Sequence, residues 1–318
     1  MVKDESAATN KLGPTTCALG PNAVETLDAR HLCENQKSFV SATIYFPKTT
    51  PNQAQLLPSI VLVGGWGCGE QILGAWAPFF ASHGIVVMTI GTPLPWSYNC
   101  EHRCQALLDA SRALQSETKR SDSPLKDRLN VSAKAVMGYS LGGGGAQLAA
   151  LRDPTLTCAI ALCPDDGKDS GIEFPPQLST TVPVLTICSE SDSRSPVQKQ
   201  AWPMYRKTKA PKLIMEITGG DHFTACGPSG GSRAESEKGW GPFTYCNFLF
   251  AVLCCYFAPF PNGTVNGPTG FAKESAPRGA IGGVGLSWLQ LFLLGDETAK
   301  SKLVDRPDIA SAYESESM

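Results

Sequence analysis

Short apolar runs rich in Val, Ile and Leu recur along the chain at 39–46, 59–63, 84–90, 133–137, 158–162, 182–188 and 212–218, with polar or mixed segments between them. Most of these runs are almost continuously hydrophobic instead of alternating. A strand wetted on one face alternates, whereas a strand covered on both faces does not, so the runs predict a mainly parallel sheet held between layers of helices. The intervening segments predict helices at about 70–83, 101–116, 143–152, 196–207 and 284–295. The expected class is α/β, with ligand chemistry at the carboxyl ends of the strands.

One stretch breaks the rhythm. Residues 224–280 hold a Gly/Ser-rich run, an apolar segment from Phe243 to Phe260 and a turn-rich run after Pro261, and they read as an insertion into the sandwich. The apolar segment contains Asn247 and is bounded by Pro242 and Pro259, at the short limit for a membrane span, so a lid or flank is expected and no integral span. The chain divides into a polar extension at 1–18, one α/β domain at 19–304 and a flexible tail at 305–318.

Composition narrows the partner. A formal net charge of −2 without a Lys/Arg-rich run gives no footprint for nucleic acid or an anionic membrane, and a neutral partner is expected. The first ten residues lack the apolar stretch of a secretory signal. Twelve cysteines show no zinc-type spacing. Cys158, Cys163 and Cys188 fall in or beside apolar runs and read as core, while Cys17, Cys33, Cys226 and the pair Cys100/Cys104 are free to form disulfides in an exported protein.

The candidate chemistry lies in Val136-Met137-Gly138-Tyr139-Ser140-Leu141-Gly142, where an apolar strand breaks into G-x-S-x-G and a small-residue helix start. A serine becomes an exposed nucleophile on such a strand-to-helix turn, and the glycines leave room for the crowded backbone. The base must follow it in the chain, and of His31, His83, His102 and His222 only His222 does, in the loop after the run ending at Thr218. The acid belongs between them. Ser189-Glu-Ser-Asp-Ser-Arg-Ser-Pro-Val197 offers Glu190 and Asp192, and Asp192 is preferred for its shorter arm; Asp221, beside His222, is a weaker candidate, and Asp165 or Asp166 follows the wrong strand. Gly64-Gly-Trp-Gly-Cys-Gly69 is placed to supply one oxyanion amide at Trp66, with the second at Leu141, and Trp66 and Tyr139 offer aromatic faces to a substrate. No metal or organic cofactor is required.

With these residues in view, the chain resembles the secreted cutinase-like polyester hydrolases, including bacterial poly(ethylene terephthalate) hydrolases. The resemblance runs from about 19 to 220 and again at 283–296, carried by Gly20-Pro-Asn22, 81–90, 136–145, 189–197 and Glu216-Ile-Thr-Gly-Gly-Asp-His222. It implies an α/β-hydrolase fold and a serine carboxylic ester hydrolase using Ser140, Asp192 and His222, with Trp66 and Leu141 amides on the oxyanion and an open cleft for hydrophobic esters. Secretion and a monomeric state are expected on the same ground. The chain departs from the family at four places: Tyr139 stands where members usually carry His or Trp, Leu141 where they carry Met, Cys163-Pro-Asp-Asp166 replaces the family's Trp after Ala-Pro, and the insertion after His222 is foreign to the compact bacterial enzymes. A lipase or general short-chain esterase is the alternative within the class, and a non-catalytic binding protein on a hydrolase scaffold the alternative outside it.

Overall fold

The computed structural model describes residues 16–48, 56–168, 171, 173–225 and 276–318. Nine strands form one sheet: β1 (Val24–Asp28), β2 (Ser41–Pro47), β3 (Leu57–Val63), β4 (Val86–Gly91), β5 (Leu129–Tyr139), β6 (Cys158–Leu162), β7 (Val184–Ser189), β8 (Lys212–Ile217) and β9 (Ala310–Glu316). Their order is β1-β2-β4-β3-β5-β6-β7-β8-β9. The ladder from β4 through β3, β5, β6 and β7 to β8 is parallel, and β1, β2 and β9 run antiparallel at the two sides. The helices are α1 (Trp76–Ser82), α2 (Cys100–Ser116), α3 (Leu141–Arg152), α4 (Ala201–Lys207), α5 (Ala276–Phe292) and α6 (Thr298–Lys302), with single 3₁₀ turns at Arg30–Cys33 and Glu70–Leu73. This mostly parallel sheet flanked by helices is the α/β-hydrolase fold.

The two faces of the sheet are covered separately, which is why its strands read as unbroken apolar runs. On β3, Ile60 and Leu62 join a core with Trp76, Phe79 and Phe80 of α1 and Val284, Trp288 and Leu289 of α5. Val61 and Val63 point the other way, into a core with Leu107 and Leu114 of α2 and Ala146 and Ala149 of α3. Period-two alternation thus survives in direction, although not in polarity. Asn99 caps α2, its side-chain oxygen accepting the Glu101 amide at 2.8 Å.

Three expectations change. The tail at 305–318 is not free: β9 pairs with β8 from Lys212↔Glu316 to Ile217↔Ala310, the Tyr313 hydroxyl donates to the Leu303 carbonyl at 3.0 Å, and Lys212 Nζ meets a Glu316 carboxylate oxygen at 3.1 Å. A side strand bonded along one edge needs little burial, so its polar sequence looks like a loose end. β1 escaped notice for the same reason. Finally, the helix expected at 284–295 starts at Ala276, inside the stretch read as insertion, and the helix at 70–83 is a 3₁₀ turn followed by α1. The apolar segment 243–260 and the lid expected there lie outside the described residues. Among the described residues no helix is long and apolar enough to cross a membrane.

Candidate active site

Ser140 follows β5 directly and precedes α3, with φ 57° and ψ −121°. A side-chain-bearing residue at positive φ is strained, and here close packing over-determines it. A Cβ on Gly138 would lie 1.8 Å from the Gly142 carbonyl oxygen, and one on Gly142 would lie 2.6 Å from that of Val63, so the turn closes only with glycine at both places. The Ser140 amide donates to Leu162 at 2.9 Å, and its carbonyl accepts the amides of Gly144 at 3.1 Å and Asp165 at 3.0 Å.

Two other strands present their ends beside it. Beyond β7 the chain turns so that Asp192 Oδ1 accepts the amides of Arg194 at 2.9 Å and Ser195 at 2.8 Å, leaving Oδ2 for His222 Nδ1 at 2.7 Å. Beyond β8 His222 turns its Nε2 to within 3.0 Å of Ser140 Oγ. Ser140, Asp192 and His222 are 8, 5 and 6 % exposed, which removes most of the competing water from these hydrogen bonds. The arrangement can pass a proton from serine to imidazole while the carboxylate steadies the resulting cation.

The remaining acids stand elsewhere. Glu190 is exposed and accepts the Gly219 amide at 2.8 Å, bracing the start of the histidine loop. Asp221 folds that loop on itself, its Oδ1 accepting the Phe223 amide at 3.0 Å and the Thr224 hydroxyl at 3.1 Å. Asp165 accepts the Ser195 hydroxyl at 2.8 Å, and burial pushes its carboxyl above the usual carboxylate range. Asp166 accepts from the Gln200 amide group at 3.1 Å. The other histidines serve locally: His31 bonds Glu117 and His83 bonds the Ala18 carbonyl.

Tyr139 needs correcting. Its ring is 2 % exposed and packed in the core, 5.1 Å from the His222 ring, and its hydroxyl donates to the His222 carbonyl at 3.1 Å. It holds the histidine loop and offers no face to a substrate, because its side chain falls on the face of the sheet covered by α1 and α5. Leu141, also 2 % exposed, contributes its side chain to the opposite core, which leaves its backbone as the part beside Ser140.

Trp66 sits on the other flank. A Cβ on Gly65 would lie 2.5 Å from Ser140 Cβ and 3.0 Å from its Oγ, so this loop runs against the serine as closely as a main chain can. Trp66 Nε1 donates to the Trp96 carbonyl at 2.7 Å, and its ring meets Trp96 edge-on at 4.8 Å and stacks on Tyr98 at 5.4 Å. Trp96 and Tyr98 remain 36 and 45 % exposed, and with Trp66 they form an aromatic wall on the loop that runs against the serine. The sequence reading missed this loop after β4.

It also missed Arg103, fully buried on α2. The guanidinium donates to the carbonyls of Leu94 at 3.2 Å, Pro95 at 2.7 Å and Gly65 at 3.1 Å, tying the Trp66 loop to the Trp96 loop. Its placement was readable: with Ala106, Leu107, Ala110 and Leu114 it lies on the apolar stripe of α2, where a charge has to have a structural partner. Among the described residues all eight cysteines are unbridged, including Cys17, Cys33, Cys100 and Cys104; Cys226 lies outside them.

A PET hydrolase-like family model matches residues 9–235. Lipase 1 of Moraxella sp. (strain TA144) is 28 % identical over 204 residues, 64 % of this chain and 59 % of that protein. Cutinase 1 of Thermobifida cellulosilytica is 30 % identical over 206 residues, 64 % and 72 % of the two chains, and cutinase est2 of Thermobifida alba is 31 % identical over 218 residues, 64 % and 68 %. The chain thus spans between 59 and 72 % of the length of these relatives. Since the matched stretch takes in well over half of the 318 residues and includes all three members of the Ser140–His222–Asp192 array, the chain belongs to the PET hydrolase-like family.

Proposed function

We propose that this protein is a serine carboxylic ester hydrolase of cutinase or polyesterase type, acting on hydrophobic esters through an acyl-enzyme. The observation that carries the proposal is the hydrogen-bonded series Ser140 Oγ, His222 Nε2, His222 Nδ1, Asp192 Oδ2, at 3.0 and 2.7 Å, just beyond the ends of the parallel strands β5, β8 and β7. In this reading Ser140 attacks the ester carbonyl as His222 takes its proton. The amides of Trp66 and Leu141 hold the oxyanion, and the protonated His222 returns its proton to the leaving alcohol. Water, activated by the same imidazole, then releases the acid. Hydrolysis of this kind uses side chains and backbone amides throughout.

The wall of Trp66, Trp96 and Tyr98 supports a hydrophobic acyl or aryl substituent in the substrate. The cutinase names among the relatives favour cutin-like or synthetic polyesters, and the Moraxella lipase favours long-chain glycerides as the second reading. Turnover of p-nitrophenyl esters from acetate to palmitate, with polyester film and emulsified triglyceride in parallel, separates them. A serine-directed phosphonate should label the parent and not Ser140→Ala, which should be inactive and folded. Ester hydrolysis by Ser140→Ala at the parent rate refutes the assignment, and a folded parent silent toward every activated ester restores the binding-protein reading.

A further inference from the structure

We infer that the site contains a receptor for a soft divalent cation, formed by Cys163 Sγ, His222 Nδ1 and a carboxylate oxygen of Asp192, and that its occupation switches the enzyme off. The inference rests on the hydrolase reading of Ser140, His222 and Asp192. Cys163 Sγ, a ring nitrogen of His222 and a carboxylate oxygen of Asp192 lie within 4.8 Å of one another, all three residues are buried, and Nδ1 is the nitrogen that faces the carboxylate, 2.7 Å from Oδ2. Cys163 comes to this point because β6 ends at Leu162 and the chain turns at once, with φ 40° at Cys163. Its amide donates to the Ile187 carbonyl at 2.7 Å, and its Sγ stands 3.7 Å from Ser189 Oγ, which places the thiol between the ends of β6 and β7, where the acid loop begins.

A thiolate, an imidazole nitrogen and a carboxylate oxygen form a donor set suited to Zn²⁺ or Cd²⁺ and poorly suited to Mg²⁺ or Ca²⁺. Zinc bonds of about 2.3 Å to sulfur and about 2.0–2.2 Å to nitrogen and oxygen hold tetrahedral donors roughly 3.3–3.7 Å apart. A separation of up to 4.8 Å therefore has to shrink by about 1.1–1.5 Å while the 2.7 Å pair of Nδ1 and Oδ2 opens by about 0.6–1.0 Å, within the reach of rotation at Cys163 and His222. Water takes the fourth position.

The inhibition follows from the tautomer. In the neutral imidazole that serves as base, Nδ1 carries the proton facing Asp192 and Nε2 is free to accept from Ser140. A cation on Nδ1 displaces that proton to Nε2, and the Cys163 thiol loses its own proton to solvent. Nε2–H then only donates to Ser140 Oγ, so the serine proton has no acceptor. The same cation occupies the Asp192 oxygen that orients the ring. Apart from these N–H and S–H proton transfers no bond of the protein changes, and a chelator, with protons returned from solvent, reverses the step.

The test titrates ZnCl₂ and CdCl₂ into the full chain during p-nitrophenyl butyrate hydrolysis, followed by EDTA, and repeats this with Cys163→Ser and with Cys163→Gly, which suits the positive φ. The expected result is chelator-reversible inhibition of the parent and a loss of cation sensitivity on the order of 100-fold in both variants at undiminished turnover. In Ser140→Ala the ultraviolet cadmium–thiolate charge-transfer band should appear, and it should vanish in Ser140→Ala/Cys163→Ser. An active parent indifferent to both cations overturns the inference, as does equal inhibition of the parent and the Cys163 variants. A parent without esterase activity refutes the hydrolase reading, and the cadmium band then still decides whether the cation binds.

Discussion

Replacing Arg103 by lysine keeps a cation on α2 but removes the fork that spans two loops. The guanidinium makes three hydrogen bonds, to Gly65, Leu94 and Pro95, at 2.7 to 3.2 Å, and no carboxylate stands among these partners. An ammonium at the end of a lysine reaches one of the carbonyls and leaves the other two with only their backbone donors among the amides of Gly67, Cys68 and Ser97. At roughly 1.5–3 kcal/mol for each bond to a charged donor, the gross loss is about 3–6 kcal/mol, which water entering beside the exposed Trp96 loop reduces. The kinetic loss is more specific: Gly65 runs against Ser140 and precedes Trp66, so on the proposed reading, in which the Trp66 amide is an oxyanion donor, loosening the Gly65 carbonyl shifts that donor. Removing one oxyanion donor costs about 10²–10³ in kcat, and a displaced donor keeps part of its effect, so Arg103→Lys should lower kcat on the order of 10²-fold with KM for a small acetate ester changed little. Steady-state kinetics on p-nitrophenyl acetate, with thermal unfolding to verify that the variant is folded at the assay temperature, provide the measurement. A folded Arg103→Lys enzyme with parental kcat would show that the clamp does not position the Trp66 loop for the proposed reaction.

Two further outcomes are expected. Asp192→Ala should cost on the order of 10⁴ in kcat, whereas Glu190→Ala and Asp221→Ala, whose carboxylates brace the histidine loop from outside, should cost far less; a severe Asp221→Ala beside a mild Asp192→Ala reverses the assignment. Burial alone would raise the carboxyl of Glu117, but hydrogen bonds from Arg120, His31 and Ser123 outweigh it and hold the group at about 2, below its ordinary 4.5. Because the folded value is the lower one, this carboxylate stabilises the fold fully above about 4.5, and the contribution is lost as pH falls toward about 2. Its upper bound is about 3 kcal/mol, trimmed toward about 1–2 because Arg120 stays open to water. Urea midpoints of Glu117→Gln should accordingly fall below the parent at neutral pH and converge with it near pH 2; equal midpoints at neutral pH refute the account.

The seven inner strands were legible because each is covered on both faces and so announces itself as an apolar run. β1 and β9 were not, since a strand bonded on one side tolerates Glu25, Thr26, Glu314 and Ser315 facing water. The Ser140, Asp192 and His222 positions follow from chain order and strand ends, which are local properties. The aromatic wall and Arg103 depend on how the loop after β4 folds back over the loop after β3, a long-range contact with no periodic signature. Tyr139 was misread because adjacency to the serine says nothing about which side of the sheet a ring takes.

The pairing of β8 with β9 gives the chain an unexpected modularity. These strands run antiparallel, and the Thr218 amide donates to the Ile309 carbonyl at 2.8 Å just beyond them, so the connection from β8 to β9 starts and ends at the same point of the sheet. Closing a loop grows costlier only with the logarithm of its length, about 0.6 kcal/mol per doubling, so this is a place where a hydrolase can acquire or shed tens of residues at little expense to the sheet. A backbone cut between 226 and 275 divides the molecule into one piece that keeps β1 to β8 and the Ser140–His222–Asp192 array and another that keeps α5, α6 and β9. The second piece brings Trp288 and Leu289 to the core and a strand to the sheet's edge, so each piece carries surfaces that the other completes.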